Sequence, residues 1–217
     1  MKASEIIRIT EGIRPPVTFA QVVTPEWITE VLEDGFDVGT PHPGAMADTE
    51  GGHDIDAVSR LIEDLADEDF FPEDIDLDDV DQIRPYITKW MKSRYSYVTR
   101  NMQANKVKGG FLIYRAIKVQ EEHVSAIASG DQPLGMFWAF CEESAEAHWG
   151  NFDHTELLFE AVVASEKIDW ITTIRRNMNY VLGDDEQEVS LKSGTPLRLI
   201  RATVDGKPLP INPHRVS

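Results

Sequence analysis

The chain has 217 residues, of which 41% are hydrophobic, which is enough to build the core of one large or two small domains. Its formal net charge of −17 disfavours generic binding to nucleic-acid phosphates and to anionic membranes. The single cysteine, Cys141, excludes an intrachain disulfide and favours a reducing compartment. We find no pattern of a signal peptide and no run as long as a membrane span, and therefore expect a cytoplasmic protein.

The first 105 residues predict a mostly helical region. The segment Thr24–Glu26 has the residues typical of a helix start: a capping threonine, a proline in the first turn and an acid. A segment rich in glycine and proline, residues 35–53, predicts a loop. Apolar residues at helical spacing then predict a second helix over Ile55–Ala66.

A run of eleven acidic side chains between Glu63 and Asp81 contains no lysine or arginine. One interpretation is a calcium loop, although Asp79 stands where an EF-hand requires glycine. A second is a docking surface for a basic partner, or a mimic of nucleic acid. The composition is most typical of a third, a solvated acidic connector that a few apolar side chains order in part.

The charge reverses after the acidic run, because seven bases and no acid occur from Arg84 to Lys108. Apolar and aromatic residues between Ile83 and Val98 predict a long amphipathic helix. Its positive face either pairs with the acidic run or lies near a bound dinucleotide or a polyanionic partner.

The short connector Asn105–Gly110 predicts a boundary between an acidic N-terminal region, residues 1–105, and a C-terminal domain, residues 106–217. The C-terminal domain mixes strand and helix patterns, so we expect the fold class to be α+β. The predicted elements are strands at Phe111–Val119, Met136–Phe140 and Leu157–Val163, and helices at residues 120–129 and Glu142–Trp149.

Arg115 lies inside the first of these apolar strands. A buried arginine needs an anionic partner, because an unpaired buried charge is costly. That partner is either a structural carboxylate or a ligand phosphate, which arginine binds in a bidentate manner.

Two carboxylates, Glu186 and Glu188, are spaced at i and i+2 before an alternating apolar pattern. The pattern predicts two strands joined by a turn at Ser193–Gly194. Residues i and i+2 of a strand share a face, so the two carboxylates are expected to lie side by side. Such a pair is costly unless water, a cation or a ligand lies beside it, and a solvated strand entry is the simpler interpretation.

Other side chains give weaker indications. The histidines have no metal-ligand spacing, and we interpret them as surface or core residues, so no metal site is expected. Cys141 follows an aromatic strand without a nearby base in sequence, which is more typical of a small buried residue than of a nucleophile.

Several of these features occur in an order that resembles a known family. An arginine lies on a first strand, at Tyr114–Ala116, and a short strand and a helix follow over Phe140–Trp149. A further strand precedes Ile168–Asp169, and the chain then reaches Glu186–Thr195 with its two glutamates and its Gly-Thr turn. This order resembles the R-S-E class of mono-ADP-ribosyltransferases, the cholera-toxin-like group, and the last segment is similar to that of small bacteriophage enzymes.

The resemblance covers about residues 108–204. It implies an ADP-ribosyltransferase-like split β-sandwich, preceded here by the helical acidic region. It also implies that NAD is bound and consumed, that nicotinamide is released, and that the acceptor is an arginine side chain of a protein, for which a host protein is a candidate.

The resemblance also implies roles for single residues. Arg115, beside Tyr114, would hold the phosphates or the nicotinamide ribose of NAD. Glu188 would bond the ribose 2′-hydroxyl and stabilise positive charge as nicotinamide leaves. Glu186 would orient the acceptor guanidinium and help to remove its proton. The segment Asp169–Asp185 corresponds to the loop that approaches the target.

One motif departs from the family pattern. The family has Ser-x-Ser, whose first hydroxyl orients the catalytic glutamate, where this chain has Trp138–Phe140. Trp138 or Phe140 offers a ring that can stack on nicotinamide, but the orienting hydrogen bond, worth about 1 kcal/mol, is lost. Ser129 and Ser144 are alternative sources of that hydroxyl.

Three functions therefore stay open. The first is an arginine-specific transferase, which residues 1–105 direct to its target. The second is an NAD glycohydrolase, which releases nicotinamide without labelling a protein. The third is an inactive ADP-ribosyltransferase-like binding protein, an inhibitor or virion component that acts through its acidic surface. The presence of Arg115, Glu186 and Glu188 favours the first, and the missing Ser-x-Ser favours the third.

Overall fold

The computed structural model describes residues 16–34, 65, 70–129, 134–147, 155–179, 187–211 and 214–216. The chain divides into two compact units, one formed by Thr18–Tyr97 and the other by Met1–Val17 with Val98–Ser217. The division lies near the boundary that the sequence predicts after residue 105. None of the helices in these described ranges is long and apolar enough to cross a membrane.

The described part of the first unit contains helices. Helix α1 spans Phe19–Val22, α2 spans Pro25–Asp34, and α3 spans Val80–Gln103, which continues into the second unit. The predicted start of α2 is confirmed, and the Thr24 hydroxyl accepts a hydrogen bond from the Trp27 backbone nitrogen at 3.2 Å. The other predicted helix, Ile55–Ala66, lies outside the described residues except for Leu65, which is helical and buried.

The predicted amphipathic helix is confirmed as α3, which is longer at both ends than the pattern indicates. Its start uses the acidic run, because Asp79 Oδ1 accepts hydrogen bonds from the backbone nitrogens of Asp81 and Gln82 at 3.0 and 3.3 Å. The side-chain hydrogen bond from Gln82, followed by that from the Asp81 backbone, lowers the pKa of Asp79. The carboxylates of the run that the structure describes thus form turns and a helix cap, with Asp76 accepting from the Asp78 backbone nitrogen.

The second unit combines helices with an antiparallel sheet, which confirms the α+β class. The eight described strands form one hydrogen-bonded network with the order β5-β3-β2-β4-β6-β7, in which β1 pairs with β2 and β8 pairs with β6. Their bounds are β1 Lys106–Val107, β2 Gly110–Val119, β3 Phe137–Ala139, β4 Thr155–Val163, β5 Glu188–Ser190, β6 Pro196–Val204, β7 Lys207–Pro208 and β8 His214–Val216. The predicted strands at 111–119, 136–140 and 157–163 correspond to β2, β3 and β4.

Three helices and a short 3-10 turn accompany the sheet: α4 Glu121–Ser129, α5 Glu142–Ala147, the turn Ser165–Lys167, and α6 Trp170–Asn179. Helices α4 and α5 were predicted. The expectation of a loop over Asp169–Asp185 was wrong for Trp170–Asn179, which forms α6. The reason is a buried stripe at i, i+4 and i+8, formed by Trp170, Ile174 and Met178, which drives helix formation against the sheet.

The two strands predicted around the Ser193–Gly194 turn are confirmed, but they do not pair with each other. Strand β5 lies at one edge of the sheet beside β3, whereas β6 lies on the far side of β4. Gln187 has a φ of 46°, in the left-handed region, so the extended conformation begins only at Glu188. Strand alternation therefore does not extend to Gln187, and the predicted position of Glu186 beside Glu188 lies outside the described residues.

The aromatic core of the second unit lies on one face of the sheet. Phe111, Phe140 and Trp170 form a cluster with ring centroids 4.9–6.4 Å apart. Phe140 is 1% exposed and its ring stacks on Trp170, so helix α6 closes over the end of β3. Tyr114 lies on the opposite face of the sheet, where it lines the cavity described below.

The start of β2 depends on glycine. A Cβ at Gly110 would lie 1.9 Å from the Val163 carbonyl oxygen on the neighbouring strand β4, and the residue has a φ of +150°.

We expect Gly110→Ala to lower the free energy of unfolding by about 3 kcal/mol or more, because backbone atoms must separate. Gly194→Ala is the control, since Gly194 also has a positive φ but faces open space, and we expect a loss of about 1–2 kcal/mol. Equal losses in urea unfolding would contradict this account.

Candidate functional site

The register of three strands brings two of the predicted site residues, Tyr114 and Glu188, to one face of the sheet. Tyr114 on β2 pairs with Ala139 on β3, and Ala139 pairs with Glu188 on β5. Antiparallel partners share a face, so Tyr114 and Glu188 point the same way. Strands are about 4.8 Å apart, which puts the two Cα atoms about 10 Å apart with a small alanine between them.

The space above that alanine is a cavity of about 270 Å³. The small side chains of Ala116, Ala139 and Ala145 form part of its wall, and they leave room that larger residues would fill. Its lining residues are Tyr114, Arg115, Ala116, Phe137, Trp138, Ala139, Ala145, Arg176 and Glu188. The cavity therefore combines aromatic rings, two guanidinium groups and a carboxylate.

Arg115 also lines the cavity, next to the single register position at which β2 and β3 pair. Its Nη1 donates a hydrogen bond to the Phe137 carbonyl oxygen on β3. The guanidinium lies against Gly135, where a Cβ would come within 3.0–3.1 Å of three guanidinium atoms. Glycine is also required there by its φ of +80°.

The charge of Arg115 is poorly compensated by the surrounding protein. Its Nε is buried without a hydrogen-bond partner, and no carboxylate in the described ranges forms an ion pair with it. Burial lowers the pKa of Arg115 to about 10, so the group is still a cation at neutral pH. A bound anion would relieve this desolvation cost.

Glu188 forms an ion pair with Arg176 of helix α6, in which Arg176 Nη1 donates to Glu188 Oε1. The side chains are 13% and 23% exposed, so water screens the pair only in part. The Arg176 guanidinium also stacks over the Phe137 ring, 4.5 Å from the ring centroid. Arg176 is thus held from two sides at the mouth of the cavity.

Side chains of helix α6 form hydrogen bonds with the backbone of β5. Asn177 Nδ2 donates to the Glu188 carbonyl oxygen at 2.7 Å, and the Ser190 nitrogen donates to Thr173 Oγ1 at 3.0 Å. Asp169 caps the helix, because its Oδ1 accepts from the Thr172 nitrogen at 3.2 Å and its Oδ2 from the Thr172 hydroxyl at 2.9 Å. These bonds set the position of Arg176 relative to Glu188.

Four of the six residues predicted for the site line the cavity: Tyr114, Arg115, Trp138 and Glu188. Phe140 is not among the described residues that line the cavity, so the expectation that its ring faces nicotinamide was wrong. Strand alternation turns Phe140 to the other face, into the aromatic core. Glu186 lies outside the described residues.

The candidate hydroxyls do not supply a described bond to Glu188. Ser144 is buried, and Cys141 Sγ donates to its hydroxyl at 2.9 Å. Cys141 is only half-buried, which corrects the expectation of a buried residue. The side chain of Ser129 lies outside the described residues. Arg176 donates the described hydrogen bond to the Glu188 carboxylate, and the sequence motifs did not predict it. The helical spacing of Trp170, Ile174 and Met178 could have predicted the helix that carries Arg176.

A second ionic cluster lies on the cavity face of the sheet. Arg201 on β6 donates from Nε to Glu160 Oε2 at 2.9 Å and from Nη2 to Glu142 Oε2 at 2.7 Å. Glu160 is 9% exposed and is the β4 partner of Tyr114. The cluster connects the start of α5 to the sheet. Desolvation is the largest single effect on Arg201 and lowers its pKa, but Glu142 and Glu160 together outweigh it, so the pKa of Arg201 is raised.

Comparison of the chain with family models, with curated proteins and with solved structures gives no match.

Arg115 can be tested as a functional rather than a stabilising charge. We expect Arg115→Met to leave the free energy of unfolding unchanged or to raise it, because a half-buried cation with a buried Nε and no ion pair in the described ranges is replaced by an apolar side chain. The control is Arg201→Met, which leaves Glu160 without its cation and is expected to lose about 1–2 kcal/mol. Urea unfolding measures both, and a larger loss at Arg115 than at Arg201 would show the first account to be wrong.

The cap of α6 gives a separate expectation. Asp169→Ala removes the acceptor for the Thr172 nitrogen, so we expect a loss of about 1 kcal/mol of unfolding free energy. Asp169→Asn retains a capping oxygen and is expected to lose much less. Thermal or urea unfolding of the two variants distinguishes them, and equal losses would mean that the carboxylate acts in another way.

Proposed function

We propose that the protein is an NAD-dependent mono-ADP-ribosyltransferase that modifies an arginine side chain of another protein and releases nicotinamide. The observation that carries the proposal is the meeting of Arg115 and Glu188 at one cavity. The family resemblance assigns NAD binding and catalysis to these two residues. A cation for phosphates and a carboxylate for the reacting ribose are what this substrate requires.

The residues of the cavity suit one half of NAD, which enters the reaction as a substrate. The volume of about 270 Å³ is at the lower end of small-molecule sites, which span about 300–1,000 Å³, so we assign the nicotinamide ribose half to it. The buried Arg115 Nε, without a partner in the described ranges, supports contact with a phosphate oxygen. Tyr114, Phe137 and Trp138 offer flat surfaces for the nicotinamide ring.

The proposed step breaks the bond between ribose C1′ and the nicotinamide nitrogen. Nicotinamide leaves with the bonding electron pair, and positive charge develops on the ribose ring. The Glu188 carboxylate stabilises that charge and accepts a hydrogen bond from the 2′-hydroxyl. A guanidinium nitrogen of the acceptor then bonds to C1′ and gives up one proton, for which Glu186 is the base that the resemblance suggests.

The proposed activity implies a split β-sandwich fold for the second unit. In a split β-sandwich the substrate enters where two parts of the sheet diverge. The single register pair between β2 and β3, with Arg115 reaching the backbone of β3, supports such a division. We propose an ADP-ribosyltransferase-like split β-sandwich on this basis.

The test is nicotinamide release from NAD by the full chain, with and without a bacterial lysate. We expect release that depends on the lysate, together with transfer of labelled ADP-ribose to a protein band. Glu188→Gln should lower the rate about 100-fold or more, because the charge that stabilises the ribose is removed while the shape is retained. Glu166→Gln is the matched control, since Glu166 is an exposed carboxylate away from the cavity, and its rate should equal the wild type.

The other outcomes separate the alternatives. Equal release without lysate and without a labelled band would identify an NAD glycohydrolase. No release by folded protein in either condition would refute the transferase and leave a binding protein. Hydroxylamine sensitivity of the label tests the arginine linkage, and a stable label would refute arginine as the acceptor.

A further inference from the structure

We infer that Arg176 is the positioning residue of this site: it holds the Glu188 carboxylate ionised and aimed. The inference rests on the proposed function and names a residue that the family pattern does not supply. Three independent contacts carry it: the ion pair, the stacking on Phe137, and the attachment of α6 to β5.

The first argument is geometric. A glutamate side chain has three rotatable bonds, and its terminal torsion is broad, so a carboxylate without a fixed partner samples many directions. Arg176 Nη1 binds Oε1 of Glu188, and this contact limits the directions that the carboxylate can take. A fixed carboxylate loses less entropy when the ribose arrives, which is how a positioning group accelerates a reaction.

The second argument concerns the rigidity of Arg176 itself. An exposed arginine is a poor positioning group, because holding its long side chain costs conformational entropy. Here the guanidinium stacks on Phe137, whose carbonyl oxygen also accepts from Arg115. Arg176 is in the last turn of α6, where Asn177 bonds to the backbone of Glu188 itself. Acid and cation are therefore held by the same pair of elements.

The third argument is electrostatic. The charged and titratable side chains that line the cavity with Glu188 are Arg176 from α6, and Arg115 and Tyr114 from β2, in the described part of the chain. The described residues lining it from β3 and α5 are apolar: Phe137, Trp138, Ala139 and Ala145. Both cations favour the ionised carboxylate, and Arg176 is in direct contact with it. A partly dry cavity would otherwise favour the neutral acid, which cannot stabilise a cationic ribose.

The test that does not need NAD is an NMR titration of the Glu188 carboxyl carbon, assigned by its loss in Glu188→Gln. In Arg176→Gln we expect the midpoint of this titration to rise by about one unit or more, because an adjacent cation has been removed. Arg175→Gln is the charge-matched control, since Arg175 is the neighbouring arginine on α6 and does not line the described cavity, and its midpoint should stay at the wild-type value. Equal midpoints in the two variants would overturn the inference.

The kinetic test uses nicotinamide release. In Arg176→Gln we expect kcat to fall about tenfold or more while KM changes little, and the acid limb of the pH–rate profile to move to higher pH with the carboxyl midpoint. Added guanidinium ion should restore part of kcat, which a purely structural role would not allow. Arg176→Lys keeps a charge without the planar fork, so it should retain the acid limb and lose kcat.

The outcomes separate this inference from the proposed function. A higher kcat in Arg176→Gln would overturn the inference, because Arg176 would then block Glu188 rather than aim it. If Arg176→Gln does not fold, the Arg176→Lys profile decides: an acid limb unchanged with reduced kcat supports the role, and a profile identical to the wild type overturns it. Wild-type release with no shift of the carboxyl midpoint overturns the role of Arg176 alone, whereas no wild-type release overturns the proposed function whatever the titration gives.

Discussion

The antiparallel register that links Tyr114, Ala139 and Glu188 is the constraint on which the site depends. Side chains alternate along a strand, so a slip of one residue in either pairing would turn Glu188 to the aromatic face. The aromatic cluster on that face makes such a slip costly, because it would expose Phe140 and bury a carboxylate. Ordinary core packing thus fixes the geometry of the charged residues on the other side.

The site is also an electrostatic exception within the chain. The protein carries a formal charge of −17, yet the described lining of the cavity contains two arginines and one glutamate. A positive cavity in an acidic protein attracts an anion to one place and repels it elsewhere. Desolvation of the Arg115 guanidinium lowers its pKa and costs folding stability. A charge that costs stability fits a role in binding better than a structural role.

Much of the fold and part of the site were accessible from sequence patterns. Helix α3 was predicted because its apolar residues repeat with a helical period, and β2 was predicted because it is a continuous apolar run that only a charge, Arg115, interrupts near its middle. The sequence did not reveal that β5 pairs with β3, since strand partners depend on contacts between distant residues. It also misassigned the face of Phe140 and the conformation at Gln187, because both depend on where a three-residue strand begins and ends.

The bonds between α6 and β5 have a consequence for how the protein opens. Strand β5 is three residues long and lies at the sheet edge, and the side chains of Thr173 and Asn177 supply part of its backbone hydrogen bonding. The Ser190 amide, which donates to Thr173, loses its acceptor when α6 detaches, so we expect β5 and α6 to open as one cooperative unit although β5 also pairs with β3. Local opening of that unit would disperse Glu188 and Arg176 together while the central strands stay folded. Loss of the site under mild denaturation would then precede the loss of the fold.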